Sequence, residues 1–256
     1  MIANYHTHTC LCDHAKGSMR ECIEAAIKNG IKILGFSEHI PFVTKSGAES
    51  HYRLKFKDLD KYFSLLSELK EEYKGKIEIH IGFETEYYPD MFFENLENFR
   101  KYKPEYLLLG KHFFEGGEER YVKYPIEDEK ILKHNNDVII EALKTGLFTY
   151  LAHPDIFNFV GDEKVYREES LRLCRTAKEL GIPLEFNIHG LLCEKNYPCE
   201  RFFKIAAEVG NEVIIGLDAH SPKEISDLSG YNKGLEILKN WGVTNIIETV
   251  DLVNPF

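Results

Sequence analysis

The segment "NYHTHTCLCDH" at residues 4–14 concentrates side chains that bind metal ions. It holds three histidines, two cysteines and an aspartate in eleven positions. His6 and His8 are two residues apart, so a strand directs both imidazoles to one side, as two ligands of one ion require. His14 follows after a short loop and could fold back over the same site. An isolated H-x-H pattern proves little, so the rest of the chain must decide what the segment does.

Further ligand types recur where later strands are predicted to end. They are Glu38 and His39, Glu84, His112, His153, and Asp218 with His220. Histidines placed at random would scatter over helices and loops. Their concentration at successive strand ends therefore predicts a metal site built from several strands.

Short apolar runs that alternate with helical patterns must position these side chains. The runs span 2–8, 31–39, 76–84, 106–112, 149–154, 183–189 and 212–220, with a further run at 244–250. A capping box from Ser18 to Glu21 marks the first helix, and later helices end near glycines such as Gly146. Strand–helix alternation without a Ser/Pro-rich linker predicts one α/β domain over residues 1–256.

The predicted loops differ in length at the two ends of the strands. Helix-to-strand connections are tight, whereas the strand-to-helix connections at 40–56, 113–127, 155–165 and 190–198 are long. Long loops on a single face favour a parallel barrel whose chemistry lies at the carboxyl ends of its strands. A doubly wound open sheet would show much of the same alternation and is the alternative fold.

Composition limits the classes of protein to consider. The 256 residues are 43% hydrophobic and 29% charged, and they contain no apolar run of membrane-spanning length. The first residues lack a signal-peptide pattern, so we expect a cytoplasmic protein whose six cysteines are free thiols. A net charge of -10 argues against a protein that coats nucleic acid. It still allows a small anionic substrate if metal ions supply local positive charge.

The other histidines have less specific surroundings. His51 and His134 fall in a loop and in a polar helix, where surface roles are expected. His80 lies deeper in the third strand than Glu84, so a buried, hydrogen-bonded role is expected. His189 ends the sixth predicted strand and is expected to border the site.

With these residues assembled, the chain resembles the PHP (polymerase and histidinol phosphatase) superfamily. The matching motifs are "HTH" at 6–8, "SEH" at 37–39, "GFE" at 82–84, "GKH" at 110–112, "AHPD" at 152–155 and "DAH" at 218–220. The chain length and "CLCDH" make it most similar to the stand-alone histidinol-phosphate phosphatases. The resemblance implies a distorted (β/α)7 barrel (TIM-barrel-like) and three divalent metal ions, which the imidazole-rich ligands suggest are zinc, iron or manganese.

The resemblance also implies a division of the ligands among the ions. The first ion would take His6, His8, Glu84 and Asp218; the second would share Glu84 with His112 and His153; the third would take His14, His39 and His220. Asp13 falls beside the ligand position, and His14 is preferred over it. Cys10 and Cys12 are assigned to loop packing, because thiolates would lower the positive charge of the site and enough other ligands are present.

The implied reaction is hydrolysis of a phosphomonoester, with L-histidinol phosphate and water giving L-histidinol and phosphate. Seven neutral imidazoles and two carboxylates carry about -2 against about +6 from three divalent ions, so the site would attract phosphate and acidify a bridging water. The catalytic group would be a metal-bridging hydroxide held by Glu84, with His14, Asp218 and His220 nearby. No Ser or Cys nucleophile is required.

Substrate-binding residues are less clearly indicated. Basic candidates for the phosphate are Arg53, Lys111, Arg120, Lys123, Arg167 and Lys195. Arg53, Lys111 and Arg167 are the residues that we predict to bind substrate, Arg167 because a guanidinium suits bidentate phosphate contact. Candidates for the amine are Glu86, Asp155 and Glu194. Leu192 occupies a position where many histidinol-phosphate phosphatases have a basic residue, which weakens the substrate assignment.

Three other functions remain open at this point. The chain could be a PHP-family phosphatase or phosphodiesterase acting on nucleotides or short oligonucleotides. It could be a non-catalytic PHP-like domain, although such a domain has no need of every ligand. A metal-dependent amidohydrolase would require a lysine at a matching strand end, and Lys111 is the only candidate. The expected partner is a small phosphorylated metabolite; neither a membrane nor a nucleic acid is expected.

Overall fold

Eight parallel strands form one sheet, and their order in space follows their order in the sequence. The computed structural model describes residues 1–43, 52–114 and 121–256. The strands are β1 (Ala3–Asn4), β2 (Ile33–His39), β3 (Glu78–Thr85), β4 (Tyr106–Leu109), β5 (Tyr150–Leu151), β6 (Leu184–Asn187), β7 (Val213–Gly216) and β8 (Ile246–Ile247). This sequential order confirms the barrel-like fold. The doubly wound alternative is wrong, since it requires a reversal of strand order within the sheet.

Helices surround the outer face of the sheet. They are α1 (Met19–Lys28), α2 (Leu59–Glu72), α3 (Phe92–Glu97), α4 (Glu129–Lys144), α5 (Glu163–Glu179), α6 (Ile188–Leu192), α7 (Glu200–Val209), α8 (Pro222–Ser226) and α9 (Ser229–Asn240). The predicted capping box is present, with the Glu21 N–H donating to Ser18 Oγ and the Ser18 N–H donating to Glu21 Oε2. No helix among the described residues is long and apolar enough to cross a membrane.

Several strands are shorter than their apolar runs predict. Regular pairing in β4, β5 and β7 stops at residues 109, 151 and 216, before the ligands that follow each strand. His153 and Asp218 have positive φ angles of 29° and 50°, which are unusual for residues with a Cβ and break the ladder. The prediction that His189 ends a strand is wrong, because Ile188–Leu192 forms the short helix α6.

Side chains fill the interior of the barrel below the ligands. This inner cluster consists of Ala3, Tyr5, Tyr106, Leu108, Tyr150, Ala152 and Ile214. Tyr106 is fully buried in this cluster, and a Cβ on Gly82 would collide with its ring. The Tyr106 hydroxyl donates to the carbonyl oxygen of Tyr5 at 2.7 Å. The barrel is therefore packed at its centre, and the open space lies at the carboxyl ends of the strands.

The barrel closes differently at its two ends. At the carboxyl end, Thr7 and Ala219 form a parallel bridge, with the His8 N–H donating to Ala219 O at 2.8 Å. At the amino end, β8 pairs with β7, and Tyr5 Oη lies 3.5 Å from Val250 O. The first and seventh strands thus meet at the ligand end, as in the predicted seven-stranded barrel, and the additional strand β8 pairs with the start of β7.

Asn4 makes the joint between the first and seventh strands. Tyr5 and His6 both face the barrel interior, which a regular alternating strand does not allow. The Asn4 amide Nδ2 donates to His6 O at 3.0 Å, and Asn4 Oδ1 accepts from the Leu217 N–H at 2.9 Å. The side chain therefore replaces ladder hydrogen bonds where β1 changes its alternation, and the change turns His6 towards the other ligands.

Asn4→Ala tests this joint. The substitution leaves the buried Leu217 N–H without a partner, so we expect the free energy of unfolding to fall by about 1–3 kcal/mol. Urea denaturation measures the loss. Asn232→Ala, at an exposed position of α9, is the matched control and should change stability little. An Asn4 variant as stable as the control would contradict the proposed role of the joint.

Candidate metal centre

The carboxyl ends of the strands surround a cavity of about 260 Å³. It is lined by His14, His39, Tyr52, Glu84, His112, Phe113, Tyr121, His189, Lys195, Tyr197, Asp218 and His220. Six of these are predicted metal ligands, and three more, His6, His8 and His153, lie buried beside them. The structure therefore brings together all nine side chains that the sequence marks as ligands.

The first predicted ligand set has the spacing of a metal site. His6 Nε2 lies 3.4 Å from Glu84 Oε2 and 3.4 Å from Asp218 Oδ1. His8 Nε2 lies 3.5 Å and 3.1 Å from the same two oxygens. Tetrahedral ligands about 2.0–2.1 Å from an ion are about 3.3 Å apart. All four atoms are buried without a hydrogen-bond partner, so a divalent cation would satisfy them together.

The other oxygen of Glu84 faces a second group of imidazoles. Glu84 Oε1 lies 2.7 Å from His153 Nε2 and 3.5 Å from His112 Nε2. Gly110 gives this carboxylate its space, because a Cβ there would collide with Glu84. A single buried side chain thus presents one oxygen to each of two ligand sets, the position expected of a bridging ligand.

A third group of imidazoles lies at the rim of the cavity. His14 Nε2 is 3.0 Å from His220 Nε2, and His39 Nδ1 is 3.0 Å from Glu84 Oε2. Asp13 is turned away, with its side chain 71% exposed and 3.9 Å from Lys55 Nζ. The geometry therefore favours His14 over Asp13 as the ligand from this segment.

The charge states differ among these ligands. Burial opposes the charged form of His6 and His8, but neighbouring carboxylates raise the pKa of His6 well above its usual value and that of His8 to about 9, so an ion would have to displace a proton from each ring. Burial and the neighbouring positive charge of His8 lower the pKa of His220 to about 3 and that of His39 well below its usual value. Both imidazoles are therefore neutral near pH 7, with a lone pair available. Burial alone would raise the pKa of Glu84, but His112 and His6 hold it well below its usual value. Glu84 is therefore ionised.

Three further carboxylates lie close to the Nδ1 atoms of histidine ligands. Glu185 Oε1 lies 2.7 Å from His6 Nδ1, Glu38 Oε1 lies 3.3 Å from His8 Nδ1, and Glu86 Oε1 lies 3.4 Å from His112 Nδ1. A carboxylate on one ring nitrogen fixes the tautomer and directs the other nitrogen to the metal. Such hydrogen-bonded pairs are a recurrent feature of metal sites, and their presence on His6 and His8 supports the assignment. His112 Nδ1 lies near Glu86 but makes no hydrogen bond to it.

Glu185 is the functional residue that sequence reasoning missed. It is fully buried in β6 and also accepts hydrogen bonds from the His153 N–H at 3.0 Å and from Asn187 Nδ2 at 2.9 Å. The available indication was a glutamate inside the apolar run "PLEFNIH", since an unpaired charge is costly in a buried parallel strand. Glu38 is one of the strand-end ligand types in the sequence, but the resemblance assigns it to none of the three ions.

The structure does not bring the three predicted substrate-binding cations to the cavity lining. Arg53 is 2% exposed and its Nη2 donates to Glu86 Oε1 at 2.6 Å. Lys111 is buried, and its Nζ donates to Phe114 O at 3.1 Å. Arg167 lies on α5 and pairs with Glu208 at 2.6 Å. Of the other basic candidates, Lys195 lines the cavity, Lys123 does not, and Arg120 lies outside the described residues.

The candidates for the substrate amine are also away from the lining. Glu86 is engaged with Arg53 and His112. Asp155 is buried, and its Oδ2 accepts from the Cys199 N–H. Glu194 is exposed on the loop after α6.

The remaining cysteine and histidine predictions have mixed outcomes. Cys12 is buried with Sγ 3.1 Å from Thr9 O, and burial raises the pKa of its thiol, which opposes thiolate ligation. Cys10 is exposed. His80 is hydrogen-bonded to Glu105 at 2.8 Å, as expected, but is only partly buried.

Three other histidines are expected at the protein surface or at the border of the site. His189 borders the cavity, with its ring 4.7 Å from that of His220. His134 is exposed on α4, and His51 lies outside the described residues.

Fold and predicted ligands together form a candidate metal centre at the open end of a parallel barrel. The family model described as "PHP domain" matches residues 4–189, and the chain belongs to this family. A probable histidinol-phosphatase of Deinococcus radiodurans is 26% identical over 236 residues, which cover 88% of each chain. One from Schizosaccharomyces pombe is 23% identical and covers 96% of this chain and 89% of its own. A probable phosphatase of a Thermoanaerobacter species is 25% identical and covers 95% and 88%.

Solved structures share the fold. A histidinol phosphate phosphatase from Lactococcus lactis, complexed with zinc, L-histidinol and phosphate, superposes with a TM-score of 0.73 at 17% identity, covering 97% of this chain and 98% of its own. A putative histidinol phosphatase from Listeria monocytogenes gives a TM-score of 0.71 at 22% identity, covering 90% and 99%. At these identities the likeness establishes the distorted barrel fold.

Glu84→Gln tests the bridging position. The amide keeps the shape of the side chain but removes its charge, so we expect the purified variant to retain at least one metal ion fewer per chain. Mass spectrometric metal analysis after dialysis measures the content. Glu236→Gln, at an exposed site on α9, is the control. Full metal content in the Glu84 variant would argue against its role as a shared ligand.

Glu185→Gln tests the carboxylate behind His6. Replacing the charged hydrogen-bond acceptor should weaken metal affinity by about 10- to 100-fold while leaving the saturating stoichiometry unchanged. Competition with a chromophoric chelator measures both quantities. Glu212→Gln, exposed just before β7, should behave as the unsubstituted protein. Unchanged affinity at Glu185 would mean that the His6 contact does not support metal binding.

Proposed function

We propose that this protein is a metal-dependent phosphomonoester hydrolase that converts L-histidinol phosphate and water into L-histidinol and phosphate. The observation that carries the proposal is the convergence of nine predicted metal ligands in and beside one small cavity. The Deinococcus and fission yeast relatives, which are similar over most of their lengths, are both named probable histidinol-phosphatases. A cytoplasmic location and a single domain over residues 1–256 stay predictions.

The proposal includes three divalent ions, the number that the family resemblance implies, and the grouping of the described side chains supports the use of divalent metal. The first would be held by His6, His8, Glu84 and Asp218, the second by Glu84, His112 and His153, and the third by His14, His39 and His220. Imidazole-rich sites suit zinc, iron or manganese better than magnesium or calcium. The Lactococcus protein with the same fold was crystallised with zinc.

Bound ions would neutralise the phosphate and supply a water of lowered pKa. The protein's own residues hold this chemistry in place. Glu84 joins two ligand sets, and Glu185 and Glu38 keep the first two histidines in the tautomer that binds metal. Aromatic side chains form part of the cavity wall, with Tyr52 and Phe113 stacked at 5.4 Å between ring centroids. Their rings restrict the volume open to water and to the substrate.

A second candidate is a PHP-family phosphatase with a different phosphoester substrate. Leu192, where many histidinol-phosphate phosphatases have a basic residue, is 47% exposed and is not among the described residues that line the cavity. The Thermoanaerobacter relative is named only as a probable phosphatase. Nucleotides and short oligonucleotides are the alternatives to compare.

Phosphate release from several substrates tests the proposal. We expect the highest kcat/KM with L-histidinol phosphate, compared with nucleoside monophosphates and a short oligonucleotide. Chelation should abolish activity and lower the melting temperature, because ions that bind only the folded state stabilise it. Zinc, manganese or ferrous iron should restore both. A higher kcat/KM with a nucleotide would replace the proposed substrate, and activity that survives complete metal removal would contradict the mechanism.

A further inference from the structure

The metal centre accounts for only one side of the cavity. Among the described residues that line it, Lys195 is the only lysine or arginine. The remaining wall is largely aromatic, with Tyr52, Phe113, Tyr121 and Tyr197. A phosphate bound to the ions would keep oxygens that the ions do not contact, and those oxygens need hydrogen-bond donors.

Lys195 and Tyr197 lie together on this wall. Lys195 Nζ donates to the Tyr197 hydroxyl at 3.3 Å and lies 5.6 Å from the centre of its ring. Tyr197 is 3% exposed, and its ring lies 5.7 Å from that of His153. Because the hydroxyl oxygen accepts from the ammonium, its own O–H remains a donor. The two side chains thus place a positive charge and a neutral donor beside one of the metal ligands.

The loop that carries this pair is tied to the metal centre. The Lys195 N–H donates to Gly190 O at 3.1 Å, and the Gly190 N–H donates to Asn187 Oδ1 at 2.8 Å. The Asn187 Nδ2 in turn donates to Asp218 Oδ2 at 3.1 Å. Gly190 also makes room for the Tyr197 ring, since a Cβ there would collide with it. A metal ligand and the two donors are therefore held in one hydrogen-bonded arrangement.

We propose that Lys195 and Tyr197 form one phosphate-binding pair, in which the ammonium and the phenol O–H both bind phosphate oxygens that the metal ions leave free. The inference rests on the proposed phosphomonoesterase function. It assigns phosphate recognition to the loop after α6 rather than to Arg53, Lys111 or Arg167. The pair supplies charge and hydrogen bonds and performs no proton transfer.

Substitutions at both positions test the pair. Lys195→Met should lower kcat/KM for L-histidinol phosphate and weaken competitive inhibition by inorganic phosphate, each by about 10- to 100-fold, as for loss of a hydrogen bond to a charged group. Lys195→Arg should retain most of both. Tyr197→Phe should act in the same direction, and the double variant should lose less than the product of the single effects. Lys239→Met, exposed on α9, is the control.

Metal content and melting temperature separate recognition from structure. Lys195 is exposed, so its variants should fold and should retain every ion. Unchanged phosphate inhibition in Lys195→Met would overturn the proposal, as would a loss of activity that follows a loss of metal. If the unsubstituted protein hydrolyses p-nitrophenyl phosphate but not L-histidinol phosphate, the proposed substrate fails. Phosphate inhibition of that reaction then still tests the pair.

Discussion

The two oxygens of the Glu84 carboxylate govern the arrangement of the site around it. The side chain is 1% exposed, and five imidazoles lie within 3.5 Å of its oxygens. A buried carboxylate is stable as an ion only where positive charge or hydrogen bonds replace the lost water. The surrounding fold meets that requirement by directing ligands from several strands to one point and by leaving Gly110 without a side chain. The same requirement makes the cluster suited to divalent cations.

The need to stabilise buried charge also explains the carboxylates that lie behind the histidine ligands. Glu38, Glu86 and Glu185 are each 5% exposed or less, and each lies beside a different histidine ligand. Without these partners the rings would be free to rotate or to change tautomer. Arg53 does not face the cavity; it forms an ion pair with Glu86 and so stabilises the charge of that carboxylate. A residue that appeared suited to the substrate instead stabilises the support of a ligand.

The candidate ligands could be predicted from the sequence because strand ends are visible as apolar runs that stop at histidine or acidic residues. The parallel barrel then places those ends together, so His112 and Asp218 could be assigned without a structure. The sequence does not show which basic residues face the cavity, because the direction of a long side chain depends on neighbours far away in the sequence. The alternation break at Asn4 was also invisible, since it depends on a hydrogen bond to Leu217. Local patterns therefore predicted the positions of the ligands but not the contacts that orient them.

The joint between the first and seventh strands has a consequence for how the protein matures. The first ligand set combines His6 and His8 with Asp218, more than 200 residues later in the sequence. Joining such distant segments carries a loop-closure cost, and an ion bound to both would act as a reversible cross-link between the two ends of the chain. During synthesis the first segment emerges long before its partner. A metal ion could therefore occupy the complete first ligand set only after Asp218, in the last sixth of the sequence, has emerged from the ribosome.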